Sequence, residues 1–248
     1  MNATLPPRAV AIVVLIAALT FALSPLATTG FSGFSPAQFP VPQLHPPVQP
    51  AGYAFSIWGV IYSWLILSAG YGLWRATENP AWQRMRGPLA ISLIIGTFWI
   101  AAANAAPLLA TAMIIVMAGA AILALLRAGS GQPWLLAQPV ALYAGWLTAA
   151  TGVAIGVALG GYAVMPAQTA AILCLVGVLV VALIVQTRRP HDWAYPVAII
   201  WALIGVIVAN LPTATQPGPN LPVIALAAFG IVALTLRALP LLRKEAQP

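Results

Sequence analysis

The chain has 248 residues, of which 62% are hydrophobic and only 5% are charged. Soluble domains carry about 25% charged residues, so this composition excludes a water-soluble fold and defines an integral membrane protein. The net charge of +7 does not point to nucleic acid, because the basic residues follow a topological pattern set out below.

A membrane-crossing helix needs about 20 apolar residues. Segments of that kind are predicted at 9–28, 52–74, 87–104, 107–126, 134–160, 167–187, 193–210 and 220–240. The expected fold is therefore all-α, a polytopic membrane bundle of about eight helices. The first span follows a single arginine, Arg8, as a signal peptide would. Its end, "LSPLATTG", offers no good small-x-small cleavage site, and a retained helix is expected.

Between the first two spans, residues 30–50 hold Pro36, Pro40, Pro42, Pro46, Pro47 and Pro50, interleaved with Phe31, Phe34 and Phe39. Prolines forbid a regular helix there, while the rings disfavour a fully solvated coil. A lid over the outer mouth of the bundle satisfies both facts. His45, in the same loop, reads as solvated. In the second span Phe55, Trp58 and Tyr62 follow the i, i+3, i+7 spacing of one helix face. Trp99 in the third span sits at a depth similar to Trp58.

Pro107 separates the third and fourth spans, and "GSGQP" the fourth and fifth. The fifth repeats the spacing of the second with Tyr143, Trp146 and Ala150. From spacing alone, the two aromatic faces fit either helix packing or the walls of a flat slot. The same helix carries Gly152, Gly156 and Gly160 at intervals of four, a ridge that lets another helix approach closely. That partner is a helix of the same chain or of a second copy. "RRPHD" ends the sixth span and "PTATQPGPN" the seventh. Trp74, Trp82, Trp134 and Trp193 fall at the ends of spans and read as interfacial anchors. Asn104 and Asn210 read as helix caps.

With the N-terminus threaded inside, all ten lysines and arginines fall on one face, as do Glu78, Asp192 and Glu245. The positive-inside rule predicts that asymmetry, so both termini are expected in the cytoplasm. No Asp or Glu lies within a span, which argues against an ion- or proton-coupled pump and against paired-carboxylate hydrolysis. His45 and His191 lie on opposite faces, and Cys174 is the sole cysteine. No catalytic constellation and no metal site is predicted, and an enzyme is the least supported reading.

The stretch "PAGYAFSIWGVIYSW" followed by "SAGYGLW" resembles the second-helix signature of the TspO/MBR family, the tryptophan-rich sensory or translocator proteins. In that signature a proline-rich loop runs into a helix with Trp-x-x-Leu-Tyr; here the matching positions are Trp58, Ile61 and Tyr62. "LYAGWLTAATGVAI" resembles the fifth-helix signature at Tyr143, Trp146 and Ala150. Leu142 stands where the family usually has Pro, and Ala154 where it usually has Asn. The resemblance covers about residues 8 to 160 and divides the chain into a TspO-like part, 1–160, and three additional helices, 161–248.

The resemblance implies a bacterial inner-membrane protein that binds a flat hydrophobic ligand in a sensory or regulatory role. A porphyrin, a haem-type tetrapyrrole or a sterol is the implied ligand class. Pro50, Phe55, Trp58, Tyr62, Trp99, Tyr143, Trp146 and Ala150 are the implied contacts. Implied partners are membrane lipids and the hydrophobic small molecule, with no nucleic acid; a homodimer or a larger membrane complex is left open. The alternatives are a transporter of lipid-like molecules and a membrane scaffold.

Overall fold

The structure is a computed structural model that describes residues 6–28, 31, 33–129, 131–213 and 218–245, without the side chains of 239–245. Gly30 and Ser32 of the expected lid, Ser130 of "GSGQP", residues 214–217 of the last turn, and the side chains of Arg243, Lys244 and Glu245 counted in the topology lie outside what is described.

Eight helices are described: α1 (Pro7–Leu23), α2 (Ile57–Trp74), α3 (Pro80–Ala105), α4 (Pro107–Arg127), α5 (Ala137–Gly161), α6 (Ala167–Arg188), α7 (Ala194–Ala209) and α8 (Leu221–Glu245). Among the described residues there is no strand. Seven helices are long and apolar enough to cross a membrane, and the protein is a multi-pass membrane bundle. The exception is α7. Its 16 residues rise only about 24 Å at 1.5 Å each, less than the ~30 Å hydrocarbon core. Its outer end is capped from above: Ala51 donates its backbone N–H to Gly205 O at 3.0 Å, and Trp201 Nε1 donates to Ala54 O at 2.8 Å.

Neighbour contacts arrange the helices as two rings that share one member. The first five close in the order α1, α2, α5, α4, α3, and the second ring runs α5, α6, α8, α7. Helix α5 is therefore enclosed nearly all round, with 20 of its 25 residues buried. Small residues make this crowding feasible: a Cβ on Gly145 would meet the backbone of Tyr195 in α7, and one on Gly152 would meet Val178 in α6.

Two expectations change at the basic end of the bundle. The third helix starts at Pro80 rather than 87, because Asn79 caps it by accepting from Ala81 N at 2.9 Å and Pro80 occupies the first helical position. Trp82, expected as an interfacial anchor, is instead 1% exposed and packs against Gly72, where a Cβ would lie 2.7 Å from its ring. Arg86 is also buried and locks this corner, donating to the carbonyl of Gly72 in the last turn of α2 and to those of Ala76 and Thr77 just beyond it. Trp74 and Trp134, by contrast, are exposed, as anchors are.

Candidate functional site

The proline-rich segment folds back onto the outer end of the bundle. Gln38 Nε2 donates to the carbonyls of Ala103 and Asn104 at the end of α3, at 2.8 and 3.0 Å. Val41 N donates to Gly161 O of α5 at 2.9 Å, and Asn210 Nδ2, at the end of α7, donates to Pro47 O at 2.8 Å. Phe31, Phe34 and Phe39 form an edge-to-face chain that runs from Trp99 (4.9 Å between centroids to Phe31) to Tyr162 (5.7 Å to Phe39). Gly33 makes the bend between the first two rings. Its φ of +126° suits glycine, and a Cβ there would lie 2.5 Å from the Gln49 amide.

Beneath this cover lies a small, mainly apolar cavity of about 40 Å³. Its walls are Trp58 of α2, Trp99 of α3, Ile114 of α4, Trp146, Ala149, Ala150, Val153 and Ala154 of α5, and Ala202 of α7; Phe31, Phe34, Gln49, Pro50 and Phe55 close the top. The rings meet edge to face: Trp58 and Phe55 each stand nearly perpendicular to Trp146, at 6.1 and 5.9 Å. Such arrangements suit the ring quadrupoles.

Six of the eight sequence-derived contacts, Pro50, Phe55, Trp58, Trp99, Trp146 and Ala150, converge on this cavity. Phe55 does so from a 3₁₀ turn, Gly52–Ser56, rather than from the α-helix expected there. Tyr62 and Tyr143 lie deeper and do not line it. Tyr62 stacks under Trp58 at 5.2 Å, and both pack against Phe21 of α1. Tyr143 is fully buried, 2.8 Å from Ser92 Oγ, which itself donates to Met117 O. Ser92 has one proton, so Tyr143 is the donor to Ser92. These groups plug the bundle below the cavity.

The glycine ridge of α5 is divided between two kinds of partner in the same chain. Gly152 meets α6. Gly156 meets Val48 of the lid, where a Cβ would lie 2.9 Å away, and Gly160 meets both Gln43 of the lid and Ala167 of α6. The reading of the ridge as helix packing is thus corrected at Gly156, where the lid needs the room.

Two polar features escape a sequence reading. Trp99 donates Nε1 to Ala110 O at 2.8 Å, whereas the Trp146 indole N–H, on a residue 2% exposed, has no acceptor among the described residues. Asn210 is a latch for the lid and not only a cap. Its one sequence signal is a carboxamide closing an otherwise apolar span. Phe21 and Ala202 give no signal at all, being a lone ring and a small residue in unpatterned apolar runs. Among the described residues no three His, Cys, Asp or Glu side chains converge as a metal site would require.

Fold and cavity together define a polytopic helical membrane protein with a lidded aromatic pocket between its helices. In a comparison with protein families, the sequence model of the TSPO-like proteins aligns with residues 9–239. The chain belongs to the TSPO-like family. The alignment runs through α6, α7 and α8, beyond the stretch of about 8 to 160 in which the signature motifs are recognisable. Neither the curated proteins nor the solved structures give a match.

Proposed function

We propose that this TSPO-like protein binds a flat, largely apolar molecule of the tetrapyrrole or sterol class between α2 and α5, and that binding serves a sensory or regulatory role rather than turnover. The observation that carries this reading is the convergence of Phe55, Trp58, Trp99 and Trp146 on one lidded cavity. Ligand pockets usually measure about 300–1,000 Å³, so at about 40 Å³ the cavity must widen to admit such a molecule. Uptake requires Phe31 and Phe34 to swing out with the lid. Stacking surface then becomes available, and apolar burial at about 25 cal/mol per Å² drives binding against the cost of ordering. The unpaired Trp146 N–H favours ligands that carry a hydrogen-bond acceptor near the ring plane.

The plug of Phe21, Tyr62 and Tyr143 beneath the cavity supports binding over passage to the other face. The proposed location is a bacterial inner membrane, as the family resemblance implies, with both termini cytoplasmic, which the placement of the basic residues supports. Titration of intrinsic fluorescence with protoporphyrin, corrected for absorbance, tests the reading. Saturable quenching that weakens in both Trp58→Leu and Trp146→Leu is expected. Absent quenching, or quenching unchanged by either substitution, would leave the fold without this function.

A further inference from the structure

At the opposite end of the bundle from the lid, the α4–α5 and α6–α7 connections enclose a second recess of about 540 Å³. It shares no wall with the aromatic cavity and has a different chemistry. Its walls include Arg188, Arg189, His191 and Asp192 together with Trp134 and Trp193. The only carboxylate lining it is already engaged: Asp192 pairs with Arg189 and receives a weaker contact from Gln138 Nε2 at 3.4 Å. Arg189 also donates to Ala128 O at 2.8 Å, which ties the two connections together, and Gln138 Oε1 accepts from Ala194 N at 3.0 Å. The floor is therefore built from satisfied, fixed groups.

The rim is different. The Arg188 side chain is exposed and makes no hydrogen bond or ion pair among the described residues. The recess thus keeps an excess positive charge after Arg189 and Asp192 cancel. Helices α5 and α7 begin at its edge while α4 and α6 end there, so their dipoles oppose one another and the excess charge is that of the Arg188 side chain. Trp134, 63% exposed, stands 5.5 Å from Trp193 and 6.2 Å from Trp64. Exposed tryptophans of membrane proteins sit at headgroup depth. The recess therefore combines one uncompensated cation with tryptophans at that depth, the complement of an anionic amphiphile. Basic pockets between helices on the cytoplasmic side are suited to anionic lipid headgroups.

We infer that this recess binds a phosphate group presented by an anionic phospholipid, with the free Arg188 guanidinium as its principal donor and Trp134 against the glycerol and upper acyl region. A guanidinium can hold two phosphate oxygens at once, and Arg188 presents its own beside the recess and its tryptophans.

Native mass spectrometry of the full chain in detergent, titrated with phosphatidylglycerol and phosphatidylcholine in parallel, tests the site. One phosphatidylglycerol is expected to be retained in preference to phosphatidylcholine. Arg188→Gln should weaken that retention about tenfold, in line with loss of a charge-assisted bidentate contact. Arg84→Gln, exposed on the same face but outside the recess, should leave it unchanged. Equal loss in the two variants would mean diffuse attraction of basic residues for anionic lipid, and would overturn the proposal, as would no preference in the unmodified protein. Displacement of the lipid by inorganic phosphate would make a soluble phosphate the ligand and overturn the lipid assignment.

Discussion

Trp146 presents two physical properties that a single substitution can separate. Its ring fills the space between Phe55 and Trp58, while its buried N–H lacks an acceptor. A buried unsatisfied donor costs about 1–3 kcal/mol. Trp146→Phe removes that donor and loses some ring area, and these effects oppose each other. The expected outcome is a thermal midpoint in detergent close to that of the unmodified protein. Affinity for an acceptor-bearing ligand should fall about three- to tenfold, the worth of one neutral hydrogen bond. A lowered midpoint with unchanged affinity would assign Trp146 to packing alone. Tyr143→Phe gives the contrast, because its hydroxyl already serves Ser92. About 1 kcal/mol of stability should be lost there, seen as a lowered midpoint, with ligand affinity retained.

Among the elements, the proline-rich loop has, over its described residues, only short-range hydrogen bonds of its own, such as Gln38 N to Ser35 O and Gln49 N to Pro46 O, and is tied down by contacts with the helix ends. It is held at three places, by the ends of α3, α5 and α7. Asn210→Ala removes the last of these, leaving Pro47 O without its donor. The expected result is faster hydrogen–deuterium exchange over residues 46–54 and faster ligand association, with little change in exchange within α3 to α5. Uniform loss of protection would show instead that Asn210 supports the whole bundle. The helices themselves were legible in the sequence because membrane spans announce themselves by apolar length. Which residue of a face lines a cavity was less legible, since the 3.6 period fixes direction but not depth. Tyr62 lies four residues below Trp58, about 6 Å deeper, and Tyr143 one turn below Trp146, so both fall under the cavity floor. Trp82 misled for another reason: at a span end, a tryptophan can face lipid or core, and only Gly72 across the corner decides. The order of the rings was not legible at all, because α5 is apolar or small on every side and has no polar face to orient it.

For the molecule as a whole, the sharing of α5 between two rings couples the lidded cavity to helices that hardly touch it. Helix α7 belongs to the second ring, yet its residues Trp201, Gly205 and Asn210 hold the segment 47–54 that roofs the cavity in the first. The α5–α7 seam is therefore the mechanical link between the rings, and Gly145 is its tightest approach, with no room for a Cβ beside the Tyr195 carbonyl. Gly145→Val must push α7 outward or distort α5, because the obstructing atom is backbone and cannot rotate away. Overpacking of this kind costs about 1–3 kcal/mol or more. Its effect should also travel: α7 carries the roof with it, so ligand affinity should fall although Gly145 does not line the cavity. Gly177→Val in α6 is the matched control. That position is exposed, and a Cβ there would meet nothing within 4 Å, so both midpoint and affinity should hold. Thermal unfolding and fluorescence titration of the pair decide the matter. Loss of stability in Gly145→Val with full ligand affinity would mean that the first ring and its lid act independently of the second, and the last three helices would then need a role of their own.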